Sequence, residues 1–327
     1  MRNDPLVYIC IPSYNSESTI SNTLDSLINQ TYKNICITVL DNKSTDNTVS
    51  IALNYNDPRI RVLINKKHVS PEENFNKCIN ISSGKYTCIF HSDDVYENNI
   101  IEEQVAFLEN NSSVGAVFTA ASLINTDNIT IGNIKIPKEI IKNNNRILFL
   151  DLFKLILKKS NFIICPSAMV RTKIYKFEIK KWRYNLFKSS SDLDVWLRIA
   201  KNHYIGFINK PLINYRISSS QGSALNRLNI KKADFFLVTE FYINKFFKGN
   251  LLNYEILITR DELMRAFNLM KIKNLDSNKS LIYSVFKKNW FHMMIFSYKG
   301  FLVIMFNFFL IFINLCRLEK LIFKNNK

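Results

Sequence analysis

Ile35-Cys36-Ile37-Thr38-Val39-Leu40-Asp41-Asn42-Lys43-Ser44-Thr45-Asp46 is an apolar, β-branched run that stops on an acid and passes straight into a polar loop. The same pattern returns at Tyr86-Thr87-Cys88-Ile89-Phe90, followed by His91-Ser92-Asp93-Asp94. Short apolar runs bounded by polar turn residues read as buried strands. Ligands of an open α/β sheet bind in the crevice beyond the carboxyl ends of its strands. Two strands that each end on carboxylates therefore put acids on two sides of one crevice.

Working outward, Val7–Ile11 reads as a first buried strand, ended by Pro12, with Ser13-Tyr14-Asn15-Ser16 supplying turn and helix-capping chemistry. Ile20, Leu24, Leu27 and Ile28 then recur at helical spacing. After Asp46 come a short helix, a strand Ile60–Ile64, and a helix around Glu72–Ile81 with Gly84 where a C-cap glycine would sit. Strand Tyr86–Phe90, a helix around Ile100–Leu108 and a strand Val114–Ala121 follow. This alternation predicts an α/β layered fold with a mostly parallel sheet. From about Lys138 to Pro211 the periodicity weakens, although Ser189-Ser190-Ser191-Asp192-Leu193-Asp194-Val195-Trp196-Leu197-Arg198 opens like a capped helix. Residues after Leu225 read as mainly helical.

The chain has 327 residues, 47% of them hydrophobic, which excludes a disordered chain. Lys and Arg number 44 against 27 Asp and Glu, a net charge of +17. So basic a chain implies a polyanionic partner: phosphorylated substrates, an anionic membrane surface or nucleic acid. No zinc finger and no RNA-reading aromatic motif appears, so nucleic acid ranks last. Cys10, Cys36, Cys78, Cys88, Cys165 and Cys316 lie far apart without a C-x-x-C pair, as expected of reduced thiols rather than a disulfide framework. The first five residues carry no signal-peptide core, and the expected site of the catalytic part is the cytoplasm.

The carboxyl-terminal region changes character. Residues 300–316, from Gly300 to Cys316, are almost continuously apolar, preceded by Lys299 and followed by Arg317, Lys320, Lys324 and Lys327. Their number sits at the short limit of the roughly 17–25 residues of a spanning helix. Lys287-Lys288-Asn289-Trp290-Phe291 upstream fits an interfacial anchor. The expected arrangement is peripheral, in-plane or re-entrant, at the inner face of the cytoplasmic membrane. The alternative is a buried core or dimer helix.

Only seven glycines are present, with no G-x-G-x-x-G and no P-loop, which argues against a dinucleotide oxidoreductase or a P-loop kinase. No H-E-x-x-H or Cys/His cluster marks a zinc enzyme. The acids remain. Asp41, ending its strand, can accept hydrogen bonds from a base or ribose. Of Asp93 and Asp94, one can ligate a metal while the other braces the loop, since neighbours in extended chain point opposite ways. A hard divalent cation takes few protein carboxylates and completes its shell with phosphate oxygens and water. That suits a departing nucleoside diphosphate. Asp192 or Asp194, at a helix start, can act as general base on an acceptor hydroxyl. Any one of these loops alone reads as an ordinary capped turn.

Taken in order, the motifs resemble the family-2 glycosyltransferases. Ile11-Pro12-Ser13-Tyr14-Asn15 is similar to the opening motif that lies along the nucleotide. Asp41 through Thr48 is similar to the nucleotide-binding loop, with Asp41 as the base-contacting acid. Asn74-Phe75-Asn76 before Gly84-Lys85-Tyr86 matches a stretch lining the sugar-nucleotide site, and His91-Ser92-Asp93 stands where the D-x-D motif belongs. Asp192 falls on the acid that serves as base, continued by Trp196-Leu197-Arg198, and Tyr215-Arg216 matches a motif near the diphosphate. The resemblance covers roughly Leu6 to Ser220.

It implies a GT-A catalytic domain, a Rossmann-like mixed sheet flanked by helices, over residues 1–220, with a helical region over 221–327. It also implies an inverting, metal-dependent transferase using Mg2+ or Mn2+. Asp192 is then the catalytic base and Asp93 the metal ligand; Pro12, Ser13, Tyr14, Asn15, Asp41, Asn76, Ser92 and Arg216 bind the donor. Three positions depart from the pattern: His91 replaces the first D-x-D acid, Ser191 precedes Asp192 where an acid is usual, and Ser218 stands where relatives often carry a histidine. The Q-x-x-R-W motif of processive synthases is absent, since Lys180-Lys181-Trp182-Arg183 lacks its glutamine and order. The expected reaction is transfer of a single sugar from a nucleotide-sugar, by default a UDP-sugar, to a glycan acceptor. A polyprenyl-diphosphate-linked acceptor fits the basic balance and the apolar segment, as in O-antigen or capsule assembly. The competing readings are a degenerate glycan-binding scaffold and a nucleotidyltransferase, although the latter usually shows a glycine-rich phosphate loop near the first strand.

Overall fold

The computed structural model describes residues 4–218, 232–247, 251–271, 293, 295 and 297–315. They fall into two compact units: Met1–Phe153 with Asn161–Ser218, and Lys154–Ser160 with Ser219–Lys327. The first unit runs β1 (Val7–Ser13), α1 (Ile20–Ile28), β2 (Ile35–Asp41), α2 (Thr48–Leu53), β3 (Ile60–Ile64), α3 (Pro71–Ile81), β4 (Tyr86–Ile89) and β5 (Val95–Tyr96). It continues through α4 (Ile100–Asn110), β6 (Val114–Ile124), β7 (Thr130–Ile134), α5 (Lys138–Ile141), β8 (Arg146–Ile147) and α6 (Phe149–Lys159), whose end belongs to the second unit. β9 (Met169–Arg171), α7 (Tyr184–Phe187), α8 (Ser191–Asn202) and β10 (Tyr204–Arg216) complete it.

One sheet carries these strands in the order β3-β2-β1-β4-β9-β6-β10-β5, with β7 on β6 and β8 on β10. β3, β2, β1 and β4 are parallel, as expected. Beyond them the sheet is mixed: β9 runs antiparallel to both β4 and β6, while β10 is parallel to β6. The expectation of a mostly parallel sheet thus holds for β1–β4, β6 and β10, which share one direction; β9 runs against them between β4 and β6, and β5, β7 and β8 are short antiparallel additions. The reason is the approach to β9. A parallel pair needs a crossover back to the starting end. Here the chain enters β9 from the short turn Cys165–Ser167, at the carboxyl end of β4, and so runs the other way.

β1 does not stop before Pro12 but continues to Ser13, pairing Pro12 with Leu40 and Ser13 with Asp41 on β2. Even-numbered residues of β1 face β4, as Phe90 N–H donating to the Cys10 carbonyl shows. The β1–β4 ladder ends at Cys10 and Ile89. Proline's missing N–H therefore falls where no partner strand remains. Gly84 is also reassigned. Helix α3 closes at Ser82 in extended conformation, and Gly84 has φ +77° in the turn before β4. A Cβ there would lie 2.6 Å from the Leu6 carbonyl oxygen, so the glycine serves a close approach of two backbones.

Val7, Ile9 and Ile11 of β1 pack with Ile37, Val39 and Cys88 into the main core, closed by Ile20, Leu24 and Leu27 of α1. On α8, Trp196 is fully buried against Phe118 of β6, edge to face at 4.8 Å. Truncating a side chain such as Leu24 to alanine in such a core costs about 2–5 kcal/mol. The packing fixes the strand ends on which the site is built.

The second unit contains α9 (Phe235–Phe246), α10 (Leu252–Lys271) and α11 (Tyr298–Leu315). Ile256, Leu263 and Ala266 of α10 pack with Val303, Ile304 and Leu310 of α11. Phe301, Met305, Phe308 and Phe312 of α11 are exposed. No helix among the described residues is long and apolar enough to cross a membrane. Leu225, the stretch Lys287–Phe291, Cys316 and the basic residues after it lie outside the described residues.

Candidate active site

The loops after β1 and β2 are stapled together. Asp41 is fully buried; its carboxylate accepts from Ser13 Oγ (3.3 Å), the Ser44 N–H (2.8 Å) and Ser44 Oγ (2.6 Å). Asn15 holds a left-handed φ of 47°, a conformation asparagine tolerates better than most residues. Its N–H donates to Ser44 Oγ, and its Oδ1 accepts from the Thr45 N–H, each at 2.9 Å. Asp46 accepts from the N–H groups of Glu17 and Thr48 and from the Thr48 hydroxyl. Burial opposes its ionisation, but these bonds hold its carboxyl below the usual range. Pro12 and Ser13 lie on β1, and Tyr14, 47% exposed, packs on His68 at 4.5 Å.

The end of β4 is built differently. Ser92 Oγ lies 2.8 Å from Ser16 Oγ, and its carbonyl accepts from Thr19 Oγ1, tying this loop to the start of α1. His91, Asp93 and Asp94 each offer one donor atom within 4.8 Å of the others. His91 Nδ1 stands 3.9 Å from Asp94 Oδ2, too long for a hydrogen bond. His91 Nε2 and Asp94 Oδ2 are both buried with no hydrogen-bond partner. Burial pushes the His91 imidazole down, against the pull of the Asp93 charge, so the ring is neutral near pH 7. Burial, then the Asp93 charge, pushes the Asp94 carboxyl well up, although Arg216 opposes it. Asp94 Oδ1 accepts the Arg216 N–H at 2.9 Å. One carboxylate thus braces the loop through one oxygen and turns the other toward the cluster.

Arg216, buried at the end of β10, points its guanidinium at three backbone carbonyls and one side-chain amide. Nε donates to the Asp93 carbonyl (2.7 Å), Nη1 to the Asn125 and Thr126 carbonyls, and Nη2 to Asn128 Oδ1. It therefore sets the path of the Asp93 loop. Asn76, on α3, accepts the Trp182 N–H on its Oδ1 at 2.8 Å. Phe75 packs on both Trp182 (4.8 Å) and His91 (5.9 Å), linking the loop before α7 to the cluster. Phe75 falls in the Asn74-Phe75-Asn76 stretch already read as lining the site, whereas nothing local in the sequence marks His68 and Trp182 as its packing partners.

The two acids that open α8 separate cleanly. Asp194 is fully buried and ion-paired to Arg183 and to Arg198 Nε (3.0 Å). Asp192 is partly exposed, and burial lifts its carboxyl from an ordinary 3.8 to about 6, against hydrogen bonds from the backbone of Leu193 and Asp192. The Cys165 thiol, raised first by burial, is raised further by the charges of Asp192 and Asp94. Ser191 is buried beside Asp192, and Ser218 is half-buried after β10.

A divalent cation fits the β4 cluster on its donor set: a neutral imidazole, a partly exposed carboxylate, and a buried carboxylate oxygen without a partner. A cation would satisfy the buried Asp94 oxygen and favour its ionised form.

A mixed sheet flanked by helices, with acids at the ends of β2 and β4, defines a GT-A-type nucleotide-diphospho-sugar transferase fold. Residues 8–177 match the family described as "Glycosyl transferase family 2", and the chain belongs to that family. It is 29% identical over 258 residues to "UDP-Glc:alpha-D-GlcNAc-diphosphoundecaprenol beta-1,3-glucosyltransferase WfgD" of Escherichia coli, covering 78% of this chain and 94% of WfgD. Residues 1–349 of S. aureus TarS, solved with UDP-GlcNAc, share the fold with a TM-score of 0.56 at 18% identity, covering 86% of this chain and 91% of that one. The mannosyltransferase PcManGT of Pyrobaculum calidifontis, solved with GDP-Man and Mn2+, does so with a TM-score of 0.56 at 14% identity, over 96% and 88%.

Proposed function

We propose that this chain transfers one sugar from a nucleotide-sugar, in the first instance a UDP-sugar, to a hydroxyl of a lipid-linked glycan acceptor, with inversion, in surface-polysaccharide assembly. The observation that carries this reading is the His91–Asp93–Asp94 cluster in the loop after β4, with its buried unsatisfied carboxylate oxygen; Asp192 at the start of α8, lifted to about 6, supplies a carboxyl suited to a base. Ser13, Tyr14, Asn15 and the Asp41 loop bind the nucleoside. Ser92 and Asn76 hold the walls of the donor pocket in place. His91, Asp93 and Asp94 would hold Mg2+ or Mn2+, which when bound neutralises charge on the diphosphate.

Asp192 accepts the proton of the acceptor hydroxyl as its oxygen bonds to the anomeric carbon. The bond from that carbon to the diphosphate oxygen breaks on the opposite face, and the nucleoside diphosphate leaves with the electron pair. A carboxylate near 6 is a stronger base than an ordinary aspartate yet still ionised at pH 7. Arg216 acts by positioning, through the Asp93 carbonyl. Asp194 is excluded from the base role because two guanidinium groups occupy it.

The acceptor class is supported by WfgD, whose name places its acceptor on diphosphoundecaprenol. The net charge of +17 and the exposed apolar face of α11 support a peripheral position at the inner face of the cytoplasmic membrane. The test is a panel of UDP-, GDP- and dTDP-sugars with Mn2+, followed by release of nucleoside diphosphate and by the anomeric configuration of the product. One donor should turn over, with inversion. Absence of donor binding by calorimetry across the panel overturns the reading.

A further inference from the structure

The second unit contains a groove of about 430 Å³ between the last turn of α6, α10 and the start of α11. Its walls are apolar: Leu157 from α6, Ile256 and Leu263 from α10, and Leu302, Val303 and Phe306 from α11 are prominent among them. Its rim carries Lys158, Lys159, Arg260 and Lys299, and no acid is found among the described lining residues. Lys299 Nζ donates to the Lys158 carbonyl at 3.0 Å, which brings the rim cations of α6 and α11 to one end. The volume falls in the range of small-ligand sites, roughly 300–1,000 Å³.

An apolar trough whose charged lining residues are all cations, with Ser160 and Asn253 as its neutral polar ones, fits an amphiphile with one anionic head and a hydrocarbon tail. We infer that this groove binds an isoprenoid phosphate, the walls taking the chain and the Lys and Arg rim taking the phosphate. The inference rests on the lipid-linked acceptor proposed above and names where its carrier would be held.

Helix α11 presents two neighbouring stripes at helical spacing, and they separate this occupant from a bilayer. Lys299, Leu302, Val303 and Phe306 line the groove. Phe301, Met305, Phe308 and Phe312 form the second stripe, all 42–58% exposed and none of them lining it. A flat membrane surface would engage the second stripe, while a single chain enters the first. The rim charges also distinguish an isoprenoid phosphate from the uncharged alcohol, because cations on an apolar wall stabilise the phosphate and add little for a hydroxyl.

The experiment is equilibrium binding of radiolabelled farnesyl phosphate to the full chain, beside farnesol and vesicles of phosphatidylglycerol. Farnesyl phosphate should bind at one site per chain, and farnesol about ten-fold more weakly. The double variant Arg260→Glu, Lys299→Glu should weaken farnesyl phosphate about ten-fold, as should Leu302→Asp. All three positions are at least partly exposed, and circular dichroism checks that the variants fold. Phe308→Asp should lower vesicle binding and leave farnesyl phosphate binding unchanged. A wild-type chain that binds nucleotide-sugar but not farnesyl phosphate overturns the groove while the transferase reading stands. So does Phe308→Asp weakening farnesyl phosphate as much as Leu302→Asp, or phosphatidylglycerol vesicles displacing it, since either makes the surface a membrane contact.

Discussion

The two sides of the crevice are constructed on opposite principles. The loops after β1 and β2 are knitted by hydrogen bonds among Ser13, Asn15, Glu17, Asp41, Ser44, Asp46 and Thr48, and none of these residues keeps a buried polar atom without a partner. On the side of β4 and α8, His91 Nε2 and Asp94 Oδ2 are buried and unsatisfied, and Asp192 and Asp94 are both held above the usual carboxyl range. A satisfied network rigidifies, whereas an unsatisfied buried group is costly unless a ligand completes it. The first side is finished without a ligand. The second is left wanting charge compensation, which is what a site that moves protons and holds a diphosphate requires. Stability and function should therefore respond in opposite senses on the two sides.

The largest expected effect is at Asp192. Asp192→Asn should lower the transfer rate by about 10²–10⁴-fold, the usual contribution of a general base, while donor binding by calorimetry changes little. The same substitution should stabilise the fold. A carboxyl raised in the folded state binds its proton more tightly there, so its penalty is absent below the ordinary 3.8 and is complete once the pH has risen through about 6. At pH 7.5 the variant should be more stable than the wild type by about 1–3 kcal/mol, an advantage that vanishes near pH 4. Wild-type transfer should fall below about pH 6 as Asp192 takes its proton. Turnover unchanged in the asparagine variant would remove Asp192 from the base role.

Asp194, two residues along the same helix, should behave in the reverse way. It is fully buried between Arg183 and Arg198. Asp194→Ala leaves two guanidinium groups facing each other without their shared partner, at a cost of about 3 kcal/mol. Thermal unfolding should show a lower midpoint, while the pH profile of residual transfer keeps its acid limb. A profile that loses this limb would make Asp194, not Asp192, the titrating group.

That contrast also marks how far the sequence could be read. Strand runs, acid-terminated loops and helical spacing in the first hundred or so residues carry their own signals, because parallel buried strands are continuous apolar runs. The strand Ile60–Ile64 is read at its observed bounds, and a helix is read as opening near Asp192, although its end at Asn202 is not and Ser190 makes no side-chain cap there. What lies beyond local pattern was not legible. Pro12 looks like a terminator, and only the early end of the β1–β4 ladder shows that it is tolerated. The antiparallel entry of β9 depends on where Cys165–Ser167 is held. Asp192 and Asp194 read alike as acids opening a helix; only the tertiary approach of Arg183, from a different segment, separates them. Asp41 reads as an acid at a strand end, but its full burial under Ser13 and Ser44 depends on two loops meeting.

A metal-binding measurement sharpens the unsatisfied side. With an imidazole among its donors, the His91–Asp93–Asp94 cluster should favour Mn2+ over Mg2+ more strongly than an all-oxygen site, since imidazole nitrogen gains with the softer ion. His91→Asp should lower the Mn2+ to Mg2+ affinity ratio by about ten-fold, read by calorimetry of each ion with UDP present. In the wild type, electron paramagnetic resonance of bound Mn2+ should show nitrogen coupling that the variant lacks. An unchanged ratio with no nitrogen coupling would place His91 outside the coordination shell.

The smallest effect belongs to the finished side. Ser44→Ala removes one hydroxyl that both donates to Asp41 and accepts from the Asn15 N–H. Asp41 keeps its bonds from Ser13 Oγ and the Ser44 N–H, so its charge remains partly compensated. The Asn15 N–H loses its partner at an exposed position where water can replace it, which limits the cost. The net loss of stability should be about 1 kcal/mol. Donor affinity should fall by only a few-fold, because the loop keeps its Asp46 and Thr48 bonds. Transfer at saturating donor should be unaffected, since Ser44 bonds only Asn15 and Asp41 of the donor loops and neither takes the acceptor proton. A large fall in turnover at saturating donor would mean that the two sides of the crevice are coupled through Ser16 and Ser92, the one hydroxyl pair that joins the β1 loop to the β4 loop.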